Sequence, residues 1–312
     1  MIEVQNLVKD YGPIRALGGV SFTVQRGEVV GFLGPNGAGK TTCMKIVTGF
    51  IAATSGSVTV DGKDVVEDGV EVRRRIGYLP ENAPVYPDMT VRDYLEFVAG
   101  VRGVAKSEVG KRIHESALRV GILNVLGQEI GTLSKGYRQR TGLAQAMIHD
   151  PEILILDEPT SGLDPNQIVE IRELIKDLGR DRTVILSTHN LPEVTATCNR
   201  IVLIHRGRLV ANGTPASISA AHGGGNTFLV EVDRRDGARP VADILTRLPG
   251  VTAVLPVERP GATGEPFRLE ASGDVDLRPA LFDLSVRSGW ALLELRRERL
   301  DLESIFQRLT LS

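Results

Sequence analysis

A chain of 312 residues is long enough for about two domains, at roughly 150 residues each. Its 39 acidic and 37 basic residues leave a formal charge of -2, which excludes a strong field for nucleic acid or anionic lipid. Hydrophobic residues at 42% and charged ones at 24% exclude extensive disorder, and aromatics at 4% leave the core to Val, Ile and Leu. No apolar run approaches the roughly 18 to 20 residues that cross a bilayer, and Met1 to Asn6 lack the basic-then-apolar pattern of a secretory signal. Cys43 and Cys198 stand far apart without metal spacing, as expected of reduced thiols in a soluble, cytosolic protein.

Short Val/Ile-rich runs punctuated by glycine predict strands over Ile2–Val8, Gly19–Val24, Glu28–Leu33, Ser57–Asp61, Ile153–Asp157, Thr183–Ser187 and Arg200–Ile204. Several are almost continuously apolar, which suits a parallel sheet covered on both faces. Helical spacing lies between them over Lys40–Thr48, Thr90–Val101 and Pro165–Leu178. From about Pro84 to Asp150 (84–150) strand signals fade, predicting a helical subdomain inserted into an α/β body that spans residues 1–220. The run Ala220 to Thr227 reads as a linker over 221–227, because three consecutive glycines fit no regular element.

Beyond it, over 228–312, the pattern predicts strand, helix, two strands, helix and strand: Phe228–Val232, Pro240–Leu248, Val251–Val257, Pro266–Ala271, Leu277–Ser288 and Ala291–Leu295. That order is the split βαβ of a small α+β, ferredoxin-like domain. A last helix over Asp301–Leu309 aligns Leu302, Ile305, Phe306 and Leu309 in one apolar stripe. The segment carries no cluster of His, Cys or carboxylates at ligand spacing, so a packing or docking role is expected for it.

Gly34-Pro35-Asn36-Gly37-Ala38-Gly39-Lys40-Thr41, followed by Thr42, fits G-x-x-x-x-G-K-[ST] between a strand and a helix. Glycines let the backbone wrap closely, so that amides and the helix N-terminus face phosphates. Lys40 supplies charge to the β- and γ-phosphates, and the Thr41 hydroxyl is placed to ligate Mg²⁺. The loop thus predicts a bound nucleoside triphosphate. Ile153-Leu154-Ile155-Leu156-Asp157-Glu158 is a buried strand ending in two acids at the edge where α/β sheets bind ligands. Asp157 is expected to hold Mg²⁺ opposite Thr41, and Glu158 to polarise an attacking water as general base.

Between these sites lies Leu133-Ser134-Lys135-Gly136-Tyr137-Arg138-Gln139-Arg140, which resembles the signature motif of ATP-binding-cassette (ABC) proteins. Tyr11, Ser161-Gly162-Leu163-Asp164 and His189 stand in the family's order around it, so the resemblance runs from about Ile2 to Ala220. It implies a P-loop NTPase cassette with an inserted helical subdomain, here followed by the ferredoxin-like domain. It also implies that two copies face each other head to tail, with ATP between one copy's phosphate loop and the other's Ser134 and Gly136. Tyr11 would then stack on adenine, His189 would contact the γ-phosphate, and Asp164 would shape the dimer contact. Family members without membrane spans drive a separate permease at the inner face of the cell membrane, docking near Glu81 to Glu96. The sequence tone is similar to cassettes of exporter-type permeases.

Two positions depart from the family pattern. Glu81 stands where glutamine is usual; as a ligand it could hold Mg²⁺ but would repel the γ-phosphate unless its charge is offset. Lys135 and Tyr137 replace the usual glycine and glutamine, Lys135 either adding a cation near nucleotide or facing solvent. Competing expectations are a soluble ABC-type ATPase acting on other assemblies and a nucleotide-switched regulatory module. The stretch from Lys40 to Leu133 is far too short for a chromosome-organising coiled coil, and no basic extension points to nucleic acid.

Overall fold

Strands β1 (Ile2–Tyr11) and β2 (Ile14–Val24) form a hairpin, and β3 (Val29–Leu33) then leads through a glycine loop into helix α1 (Lys40–Val47). β4 (Ser55–Val60), β5 (Lys63–Asp64), α2 (Gly69–Arg75) and β6 (Ile76–Leu79) follow. Next come α3 (Val91–Val101), α4 (Val109–Val120) and α5 (Lys135–Met147), with no strand among the described residues until β7 (Ile153–Asp157). α6 (Pro165–Leu178), β8 (Thr183–Thr188), α7 (Leu191–Thr197), β9 (Arg200–His205), β10 (Arg208–Gly213) and α8 (Pro215–His222) complete this part. The structure, a computed structural model, describes residues 1–222, 226–233, 240–259, 261–272, 275–298 and 302–311. It divides into two units, Met1–Pro215 together with Leu309–Ser312, and Ala216–Arg308.

The first unit holds two sheets. One is antiparallel, in the order β2-β1-β4-β5; the other runs β10-β9-β3-β8-β7-β6 and is parallel except for the edge strand β10. Every residue of β3, β7 and β8 is buried, which explains their unbroken apolar runs. A core of Ile2, Leu7, Val20, Phe22, Phe32, Met44 and their neighbours joins β1 and β2 to β3 and α1. Each such side chain contributes about 1.5–3 kcal/mol through burial. Helix starts are written locally: Thr90 accepts a hydrogen bond from the Asp93 amide at 3.1 Å, and Asp164 accepts one from Gln167 at 3.0 Å with Pro165 next to it.

The sequence pattern gave no strand at Ile76–Leu79. Gly77 interrupts the run there because a Cβ would collide with the Ala146 carbonyl of α5, so close approach replaces the usual β-branched signal. β2 likewise starts at Ile14, ahead of the predicted Gly19–Val24.

In the second unit, β11 (Asn226–Asp233), α9 (Val241–Thr246), β12 (Val251–Pro256), β13 (Glu265–Ala271), α10 (Arg278–Ser288) and β14 (Ala291–Glu298) form a sheet in the order β12-β13-β11-β14. All its pairings are antiparallel, which is the split βαβ arrangement. Phe228, Val230, Leu245, Leu269, Leu281 and Trp290 lie at its core. α11 (Leu302–Leu311) buries Ile305. Of the stretch read as a linker, Ala220–His222 belong to α8 and Asn226–Thr227 open β11; Gly223–Gly225, like Asp301, lie outside the described residues.

His149, just past α5, has Nε2 3.2 Å from the Ile76 carbonyl oxygen and Nδ1 buried without a partner. Burial, aided by Arg102 and Arg182, pushes its pKa from 6.5 down to about 4. The unfolded chain therefore takes up this proton first, and stability falls as pH drops from 6.5 towards 4. The contribution is about 2 kcal/mol. In His149→Gln, which keeps a donor for Ile76, the urea midpoint is expected to fall less between pH 7 and pH 4.5 than in the parent chain. Equal losses in both would contradict a neutral His149.

Candidate functional site

The parallel register brings the ends of four strands to one edge. Leu33 pairs with Thr188, Asp157 with Ser187, and Leu79 with Leu156. The loop after β3, the acids after β7, His189 after β8 and Glu81 after β6 thus emerge side by side, where α/β sheets bind ligands.

Gly37 and Gly39 take φ of 77° and 107°, in the left-handed region that spares glycine a Cβ clash. At Gly34 a Cβ would instead strike the Ile204 carbonyl. The loop is held on both sides: the Gly34 amide donates to Thr188 at 3.3 Å, and the Gly207 amide to Ala38 at 2.9 Å. Within it, the Ala38 amide donates to Pro35 at 3.1 Å, while Asn36 and Gly37 face solvent. The Lys40 ammonium is buried inside the ring, donating to the carbonyls of Gly34 at 2.8 Å and Pro35 at 3.3 Å. Thr41 and Thr42 begin α1, half-buried, where free amides and the helix dipole favour an anion.

Lys40 Nζ is also 3.4 Å from Glu158 Oε1. The Glu158 carboxylate faces His189 Nδ1, at 3.0 Å and 2.9 Å from its two oxygens. An ionised carboxylate only accepts, so Nδ1 is the donor in this contact, on a ring that is 54% exposed. Glu158 itself adopts φ 50°, and its amide donates to Ser187 at 2.8 Å. That turn swings its side chain from the strand towards Lys40 and His189.

Asp157 is fully buried, and both carboxylate oxygens lack a hydrogen-bond partner among the described residues. Burial raises its pKa, and the Glu158 charge adds to this; the nearby Ser187 and Thr41 hydroxyls and Lys40 act in the opposite sense. The Ser187 hydroxyl closes no hydrogen bond of its own. A buried, unpartnered carboxylate next to the Thr41 hydroxyl is an oxygen donor set that fits a hard divalent cation such as Mg²⁺. No group of three or more His, Cys, Asp or Glu that could hold a metal ion occurs among the described residues.

Glu193 was not legible as part of this region. In sequence it is an acid in the first turn of a short helix, the place where exposed carboxylates are common. In the fold it is wholly buried, accepting the Thr160 hydroxyl at 2.8 Å and the Thr188 hydroxyl at 2.8 Å. Burial raises its pKa against the effect of those two bonds. Glu193 thereby ties the turn after Glu158 to the strand end before His189. The signal in sequence is the pair of threonines flanking the two sites, which only the fold makes neighbours.

The remaining residues show no hydrogen bond or ion pair to Lys40, Glu158 or His189 among the described residues. Tyr11 ends β1, 47% exposed, with Lys9 Nζ 5.1 Å from its ring centre. Glu81 is exposed beyond β6. Ser134 caps α5, accepting from the Tyr137 amide at 3.4 Å, and Gly136 packs on the Gln167 side chain. Lys135, exposed, lays its ammonium against Gly162, and Asp164 caps α6. Asn124 donates to the Tyr137 hydroxyl at 3.3 Å.

The family model described as ABC transporter matches residues 17–161, and that of "AAA domain, putative AbiEii toxin, Type IV TA system" matches residues 127–196. The ABC transporter ATP-binding protein NatA of Bacillus subtilis (strain 168) is 38% identical over 207 residues, covering 66% of this chain and 84% of NatA. The linearmycin resistance ATP-binding protein LnrL of the same organism is 35% identical over 225 residues, covering 72% of each chain. Among solved structures, a dimeric bacterial ABC transporter cassette is 26% identical with a TM-score of 0.64, covering 69% of this chain and 98% of that one. Motif order, sheet topology and relatives agree: the chain belongs to the ATP-binding cassette family, as an ABC transporter ATP-binding subunit that binds and hydrolyses ATP.

Proposed function

We propose that two copies of this chain clamp two ATP molecules head to tail, and that hydrolysis drives a separate membrane permease of exporter type. The observation that carries this reading is the division of the phosphate-binding groups. Lys40, Glu158 and His189 form one linked cluster. Ser134 and Gly136 start another helix and make their contacts with Tyr137 and Gln167. A phosphate held by the first set is free on one side for the second set of another copy. The dimeric cassette among the structural neighbours supports that arrangement, and the resistance role in the printed name of LnrL supports export.

In this reading the phosphate loop, from Gly34 to Thr42, wraps the phosphates, and Tyr11 offers its exposed ring to adenine. Lys40 gives up its loop carbonyls for the β- and γ-phosphates. Glu158 takes a proton from the attacking water as the bond between γ-phosphorus and bridging oxygen breaks. His189, through Nδ1, fixes the orientation of that carboxylate and faces the γ-phosphate with its exposed edge. Mg²⁺, held by Thr41, Asp157 and Glu81, would supply positive charge to the phosphate oxygens. Asp164, as the cap of α6, sets the turn that meets the second copy. Loss of the γ-phosphate removes the ligand shared by the two copies, so the pair opens.

Residues 1–220, with the helical subdomain at 84–150, are then the nucleotide-binding domain, 221–227 a linker, and 228–312 an accessory domain. No helix among the described residues is long and apolar enough to cross a membrane. In this reading motion passes to a partner at the membrane's inner face. A groove beside Tyr86 and Tyr94 on the cassette is the proposed docking place for a cytoplasmic segment of that permease.

Glu158→Gln is expected to bind ATP, lose at least about 100-fold in turnover and accumulate as a dimer in size exclusion with Mg-ATP. A monomeric variant, or one with parental turnover, would falsify the clamp and the base. Glu81→Gln removes a negative charge at the phosphate edge and is expected to lower KM for Mg-ATP a few-fold. An unchanged KM and rate would mean that the acid has no part in the site.

A further inference from the structure

The docking groove has a chemistry of its own. It encloses about 600 Å³ between α2 and α3. One wall is aromatic: the Tyr86 ring meets Tyr94 at 6.1 Å and Phe97 at 5.8 Å, both edge-on. The rim is apolar yet open to solvent, with Val70 62%, Tyr86 52%, Phe97 48% and Val101 70% exposed. Contiguous apolar surface of this kind marks an interaction site.

The opposite wall is cationic. Arg73 and Arg74 line it, and Arg102 closes it at the end of α3. Arg102 Nη1 donates to the Arg73 carbonyl at 2.9 Å, which draws the two residues to the same spot. A second cavity of about 300 Å³, reaching Gly49 and Phe50, is lined by the same Arg73 and Arg102. None of the three guanidinium groups has a salt bridge among the described residues. The acids nearby in sequence are engaged elsewhere: Arg75 takes Asp61 at 3.2 Å and Glu71 at 3.5 Å, and Lys63 takes Glu71 at 2.7 Å. Arg102 is partly buried, and burial together with the neighbouring Arg73 lowers its pKa. Arg73 and Arg74 are exposed, so with Arg102 they present an unpaired cationic face to an incoming segment and favour an acidic one.

Resting on the reading of this groove as the permease dock, we propose that its occupant is an amphipathic helical segment carrying an Asp or Glu that pairs with Arg73 and Arg102. The segment's apolar face covers Tyr86, Phe97 and Val101, and its carboxylate enters between the arginines. Guanidinium groups bind carboxylates through two parallel N–H bonds, which fixes the segment's register as well as its affinity. A rigid ion pair at this point carries motion of the cassette into the partner, because α2 leads directly into β6 and so to Glu81.

The test uses the full chain bound to inverted membrane vesicles of the cell that makes it. Arg73→Lys places an amine in the groove, and a zero-length carbodiimide joins an amine only to a carboxylate in direct contact. Phe97→Cys, treated with a bis-maleimide, reports whether any membrane protein lies over the groove, whatever its charge. The expected result is a carbodiimide amide from Arg73→Lys, mapped by mass spectrometry to an Asp or Glu in a cytoplasmic segment of a membrane protein. The Phe97→Cys adduct should map to that same segment, and Arg73→Glu should lower its yield roughly tenfold. A Phe97→Cys adduct without the amide would keep the dock and overturn the carboxylate. Loss of both adducts in folded variants would overturn the dock, and the carboxylate with it.

Discussion

The parallel pairing of β3, β8 and β7 is the constraint on which the rest of the cassette depends. It sets Leu33 against Thr188 and Asp157 against Ser187, so that three separate stretches of chain deliver their polar residues to one edge. A slip of one residue in either pairing would turn the side chains of that strand over and move Asp157 from the interior side of the edge to the other. Such slips are suppressed because all three strands are buried on both faces. Rigidity at the site is thus inherited from apolar packing several residues away.

Behind that edge the cassette buries an unusual amount of charge. Lys40, Asp157, Glu158 and Glu193 are all less than a tenth exposed. Three of them are balanced: Lys40 and Glu158 against each other, with the loop carbonyls on Lys40, and Glu193 against two threonine hydroxyls. Asp157 is the exception, and its lone carboxylate is the reason a divalent cation fits here. A buried ion pair adds little stability by itself. It does hold the Lys40 ammonium at 3.4 Å and the His189 imidazole at 2.9 Å from one carboxylate, before any ligand enters.

Local and edge-of-strand features were legible in the sequence. Ile153–Asp157 and Pro165–Leu178 carry their own boundaries, through an unbroken apolar run in one case and a cap with proline in the other. The glycine loop announces itself by composition and spacing. What the residues could not reveal depends on contacts across the chain. β6 is hidden because Gly77 answers to Ala146, and Glu193 looks like a surface acid until Thr160 and Thr188 close around it. The arginine-lined groove was equally invisible, since Arg73 and Arg102 meet only when α2 and the end of α3 pack side by side. In the sheet of the second unit, by contrast, the order of elements alone anticipates the strand arrangement, because few connections satisfy a split βαβ.

Among the described residues other than glycine with positive φ, Asn6, Asp61 and Asp150 have short side chains that tolerate the left-handed region; Glu158 and Arg206 do not share that tolerance. The Glu158 φ of 50° costs on the order of 1 kcal/mol relative to glycine. A chain selected only for thermal endurance would drift towards glycine or asparagine at this position and fold more firmly. It would also lose the long arm that reaches Lys40 and His189. Position 158 is therefore a place where backbone ease and side-chain reach pull in opposite directions, and the glutamate keeps the reach.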